Sequence, residues 1–92
     1  MRAALARTPG QIEIVEMETP RPGAGELLVA MKAVGLCGSD VHPWYVATKA
    51  PAVLGHETAG VVVETGAGVT HLKPGDRVFV HHHAPCGACR FC

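Results

Sequence analysis

Eleven glycines and seven prolines are spread along a chain of 92 residues, and they cut it into apolar runs too short for long helices. The runs between them are rich in β-branched residues. Residues 2–7 and 11–17 flank Thr8-Pro9-Gly10, and in the second run Ile12 and Ile14 alternate imperfectly with Glu13 and Glu16, which predicts a hairpin. Pro20-Arg21-Pro22-Gly23-Ala24-Gly25 is neither helix nor central strand and reads as a surface connection. Residues 26–36 carry one charge past Glu26, Lys32, and predict a mostly buried strand. Residues 60–64 and 77–80 predict two more strands, each closed by turn chemistry at Thr65-Gly66-Ala67-Gly68 and Lys73-Pro74-Gly75-Asp76. One short helix is expected, capped by Ser39, with Asp40 in its first turn and its end near Pro51. Strands this short and turns this frequent predict an all-β barrel or sandwich.

Eight basic and eight acidic side chains cancel, so the charge balance favours neither nucleic acid nor an anionic membrane as partner. Met1 to Arg7 is too short in apolar residues for a signal peptide, and no run approaches the ~18 apolar residues of a membrane span. The chain is therefore expected to be soluble and cytoplasmic. In a reducing compartment its four cysteines favour metal ligands or free thiols over disulfides.

Gly23-Ala24-Gly25 and Gly66-Ala67-Gly68 begin like a dinucleotide fingerprint, but Leu28 and His71 stand where the third glycine belongs. Both read as hairpin turns. The chemistry lies elsewhere, first in Cys37 with Ser39, Asp40 and His42, and in the pair His56-Glu57. A thiolate, an imidazole and a carboxylate make three ligands for zinc with a fourth position open, the pattern of a catalytic rather than a structural site. Asp40 is placed to orient the imidazole by accepting its other N–H. From spacing alone a small buried Cys37 and a satisfied strand His56 are an equal reading. The second cluster is Cys86, Cys89 and Cys92, three thiols at two-residue gaps. That spacing opens a four-cysteine zinc lobe and equally the run of a bacterial ferredoxin, so an iron–sulfur electron carrier is an alternative. His81, His82 and His83 precede it; at the end of a strand their side chains would alternate between faces, solvent-exposed or packed on the lobe.

Four segments, in order and in register, resemble the N-terminal catalytic domain of the zinc-dependent medium-chain alcohol dehydrogenases. They are Gly35-Leu36-Cys37-Gly38-Ser39-Asp40-Val41-His42, Val53-Leu54-Gly55-His56-Glu57-Thr58-Ala59-Gly60-Val61-Val62, Leu72-Lys73-Pro74-Gly75-Asp76-Arg77-Val78 and Cys86-Gly87-Ala88-Cys89-Arg90-Phe91-Cys92. The resemblance runs through essentially the whole chain. It implies a mainly β, GroES-like, partly open barrel with a short helix and a cysteine-rich zinc lobe, and residues 1–92 as the N-terminal part of a two-domain enzyme, cut within that lobe. The Rossmann domain that binds NAD or NADP would follow.

Residue by residue, the resemblance implies catalytic zinc held by Cys37 and His56 with Glu57 beside it, and structural zinc held by Cys86, Cys89, Cys92 and a fourth cysteine past residue 92. Zinc then acts as a Lewis acid that favours the alkoxide of the substrate, and hydride passes to the nicotinamide. Ser39 would take the alcohol proton and His42 would relay it to water. The expected substrate is a small alcohol or polyol, and the expected assembly a homo-oligomer, dimer or tetramer. A non-enzymatic GroES-like domain that only binds metal or a partner is a further alternative, since fold does not force chemistry.

Overall fold

The computed structural model describes residues 1–92. Strands β1 (Arg2–Thr8) and β2 (Gln11–Glu16) form the predicted hairpin around Pro9 and Gly10. β3 spans Leu27–Gly35, β4 only Ala52–Val53, β5 Glu57–Thr65 and β6 Arg77–Val80. Hydrogen bonding joins these strands into two antiparallel three-stranded sheets, ordered β2-β1-β4 and β3-β5-β6. The mainly β architecture expected from the short runs, and the openness that the resemblance implies, are what the chain adopts.

The helical segment differs from its expectation. A 3₁₀ turn covers Gly38–Val41 and a separate helix α1 covers Pro43–Lys49. Pro43 causes the break: it pushes His42 into extended backbone at φ −79° and ψ 115°, and it then starts α1, where its missing N–H costs nothing. Cys37, not Ser39, is the residue that caps the turn. Asp40 does sit in the first turn, where its Oδ2 accepts the Cys37 backbone N–H at 3.1 Å.

The core is thin. Ala6 of β1, Val46 of α1 and Val62 of β5 are its buried hydrophobic side chains, and the radius of gyration, 14.9 Å, exceeds the ~12 Å of a compact domain this long. β3 is accordingly half-buried over Leu27–Ala30 but exposed from Met31 onward, where a mostly buried strand was expected.

The two glycine-rich loops pack against each other. Gly25 donates its N–H to the Ala67 carbonyl and Gly66 donates to the Glu26 carbonyl, both at 2.8 Å. A Cβ on Gly66 would collide with the Gly23 carbonyl oxygen, so the backbones can approach this closely only at glycine. The loop at Gly66 joins the paired strands β5 and β6 as expected, whereas Gly23–Gly25 carries the chain from one sheet to the other and is no hairpin. At the far end of the β5–β6 connection the Lys73 backbone N–H, then its side chain, bond Asp76 at 3.0 Å each and hold that carboxyl below its usual range.

Candidate metal centres

β5 is the central strand of its sheet, and its first residues lie between the ends of both neighbours. Gly35 pairs with Glu57 on one side and Val80 with Thr58 on the other. Just past Gly35 the chain turns through Cys37; just past Val80 it runs through the histidines. Extending the β5–β6 register by two residues sets His82 opposite His56, and their ring centroids are 5.6 Å apart. Sheet pairing therefore gathers residues far apart in sequence at the start of one strand.

Cys37, His56 and Glu57 meet there. One ligand atom from each lies within 4.8 Å of the others, with Cys37 and His56 half-buried and Glu57 exposed. Glu57 crosses the bare backbone of Gly35: a Cβ at that position would stand 2.5 Å from Glu57 Oε2. Ser39 donates its hydroxyl to Cys37 Sγ at 3.4 Å, so the serine touches the thiol that the sequence places in the centre. Behind His56, Asp40 Oδ1 stands 3.6 Å from Nδ1 and is buried without a hydrogen-bond partner. An imidazole whose Nδ1 faces a carboxylate keeps Nε2 free for a metal.

His42 lies at the junction of the 3₁₀ turn and α1, exposed to solvent, its backbone N–H bonded to the Ser39 carbonyl at 3.2 Å. Its ring is 5.9 Å from that of Trp44, which is itself 66 % exposed and so not part of the core.

The second cluster is separate from the first. Cys92 Sγ is 3.3 Å from both Cys86 Sγ and Cys89 Sγ, and all three residues are exposed. Two backbone N–H groups, those of Ala88 at 3.5 Å and Cys89 at 3.3 Å, point at the Cys86 sulfur. These amides, with the neighbouring thiols of Cys92 and Cys89, lower the Cys86 thiol from 9.0 to about 6, because donors aimed at sulfur favour the thiolate. Cys37 stays with His56 and Glu57 and does not fold back to close this lobe.

His82 is the residue near the first centre that the sequence did not place there. The adjacent His83, then some loss of hydration, His81 and His56 hold its imidazole below the usual range, against a smaller opposing effect of Glu57. Only the strand register shows that it faces His56.

Residues 23–92 match the alcohol dehydrogenase GroES-like domain. The chain belongs to that family. The domain is 44% identical over 96 aligned residues to sorbitol dehydrogenase of Gallus gallus, a match covering 98% of this chain and 27% of that protein. In structure it is similar to a cobalt- and zinc-bound thermostable alcohol dehydrogenase from Pyrobaculum aerophilum, with TM-score 0.86, 44% identity, and coverage of 100% of this chain and 29% of that one. An alcohol dehydrogenase of Escherichia coli CFT073 complexed with NADH gives TM-score 0.88 at 42% identity, covering 98% of this chain and 27% of that one. The chain thus spans about a quarter of the length of the curated relatives it matches. No helix in the domain is long and apolar enough to cross a membrane.

Proposed function

We propose that these 92 residues are the N-terminal, catalytic-domain part of a zinc-dependent dehydrogenase that oxidises a small alcohol or polyol with NAD or NADP as hydride acceptor. The carrying observation is the Cys37, His56 and Glu57 cluster with the orphaned Oδ1 of Asp40 behind the histidine. Zinc fits this donor set: a soft thiolate, an imidazole and a carboxylate, with room for a fourth ligand. The trio Cys86, Cys89 and Cys92 fits structural zinc, which thiolates close. Family membership favours this reading of the trio over an iron–sulfur carrier, and a zinc-free domain of this fold has no use for Cys37 and His56 set together.

Zinc bound at the first centre would supply Lewis acidity, favouring the deprotonated form of a substrate hydroxyl. The protein's own residues handle the proton. Ser39 Oγ, half-buried beside Cys37, accepts the substrate proton as its own hydroxyl proton passes to exposed His42, which ends that turn and releases the proton to water. Asp40 holds His56 in the tautomer that ligates through Nε2. A second, nucleotide-binding domain completes the site, and the same reading extends to a cytoplasmic homo-oligomer, dimer or tetramer.

Cys37→Ala in the full-length protein tests this. Turnover on a panel of alcohols and polyols with NAD and NADP should be abolished, and one zinc per chain lost, while circular dichroism stays unchanged, because an open site contributes little to folding. Unaltered turnover would overturn the assignment.

A further inference from the structure

His81, His82 and His83 belong to neither cluster described above. A continuing strand would send the middle ring to the opposite face, but β6 ends at Val80 and the chain bends at His82. The bend puts the three rings together: His81 and His82 stack at 5.0 Å and 17°, and His82 and His83 are 4.1 Å apart. One ring nitrogen from each lies within 4.8 Å of the other two.

We propose that His81, His82 and His83 form a third metal site, one that takes a borderline divalent transition ion such as nickel, copper, cobalt or zinc. Three imidazoles and no oxygen donor suit these ions and not calcium or magnesium. Ligation needs the nitrogens at about 3.3 Å, the spacing set by tetrahedral bonds of about 2.0–2.1 Å. All three side chains are exposed, so rotations between staggered wells can close that gap without disturbing a packed core. One supporting partner is already in place. The His83 backbone N–H donates to His81 Nδ1 at 3.1 Å, and the His83 carbonyl lies 3.2 Å from the same nitrogen; a metal on Nε2 selects the tautomer in which Nδ1 gives up the bond from the N–H and donates its own proton to the carbonyl, the usual orienting bond of a ligating histidine. Without thiolate the site is the weakest and most exchangeable of the three, and it should prefer nickel to cobalt.

The test is nickel uptake by the full-length protein already loaded with two equivalents of zinc per chain, followed by equilibrium dialysis with both metals counted. One nickel per chain should bind without displacing zinc and without a sulfur-to-nickel charge-transfer band. His81→Ala/His83→Ala should weaken that uptake by more than about 100-fold, beyond the loss of a supporting hydrogen bond alone. The variant with Cys86, Cys89 and Cys92 all changed to serine should retain it. The proposal is overturned by absence of nickel uptake, by uptake that survives the double histidine variant, or by a sulfur charge-transfer band. It is equally overturned if His82→Ala releases zinc from the Cys37 centre, which would make His82 a ligand there.

Discussion

Asp40 divides its two oxygens between two of the three candidate ligands of the first centre: Oδ2 accepts the backbone N–H of Cys37 at 3.1 Å, and Oδ1 faces His56 Nδ1 at 3.6 Å. The carboxylate is only 9% exposed, and a buried oxygen left without a donor costs about 1–3 kcal/mol. His56 is the group that can satisfy it. A single side chain thus fixes the turn that carries the thiol and aims the ring that carries the nitrogen.

Asp40→Asn separates these two tasks. Its amide oxygen can still accept the Cys37 N–H, so the fold should hold, but an amide N–H₂ turned toward His56 opposes the tautomer that ligates through Nε2. Zinc affinity at this centre should fall about 10- to 100-fold, read by competition with a chromophoric chelator, with the melting temperature nearly unchanged. Asp40→Ala should lower stability as well, by about 1 kcal/mol, through the lost bond to Cys37.

Gly35→Ala probes the other side of the centre. The new methyl would stand 2.5 Å from Glu57 Oε2 and 3.1 Å from Glu57 Cβ; since Glu57 is exposed its carboxylate can swing away, while its Cβ must give by a few tenths of an ångström at a small cost in stability. The carboxylate then leaves Cys37 and His56. Cobalt binding at this centre should weaken while the thiolate spectrum of the Cys86, Cys89 and Cys92 lobe stays as it is; weakening of both alike would mean that the sheet, not the carboxylate, had been disturbed.

Much of this centre was legible in sequence because its parts lie in short local motifs. Cys37, Ser39 and Asp40 share one turn, and His56 and Glu57 are neighbours. The first hairpin was legible too, since Thr8-Pro9-Gly10 separates two runs of matching length. The break at Pro43 had a signal in the proline itself, which disfavours helix at His42. β4 had none: two residues carry no period, and Ala52–Val53 is a strand only because β1 lies beside it. The approach of His82 to His56 is likewise a product of register between β5 and β6, and a one-residue slip would have faced His82 elsewhere.

Ser39 separates a chemical from a structural role, because Cys37 and not Ser39 caps the 3₁₀ turn. Ser39→Ala should lower turnover of the full-length enzyme by roughly 10² to 10⁴, the range for a lost proton-transfer group, with zinc content and melting temperature close to wild type. Ser39→Thr keeps the hydroxyl and should be tolerated. A large drop in melting temperature with turnover per folded molecule intact would remove Ser39 from the chemistry.

The lobe makes a prediction about pH. In the metal-free protein the backbone amides of Ala88 and Cys89, and then the thiols of Cys92 and Cys89, bring Cys86 down to about 6 from 9.0. The shift favours the thiolate, so Cys86 should remain ionised at neutral pH and become protonated only as the pH falls through about 6. Only the thiolate is alkylated. The rate of iodoacetamide modification at Cys86, followed by peptide mass spectrometry between pH 4 and pH 10, should therefore rise to half its plateau near pH 6 in the folded chain and only near the ordinary thiol range in strong urea, where no amide is held against the sulfur. Saturating zinc should suppress the reaction in the folded chain and not in urea. Equal midpoints in both states would mean that the two amides do not hold the sulfur as a thiolate, and the lobe would then have to be assembled by the metal rather than preformed for it.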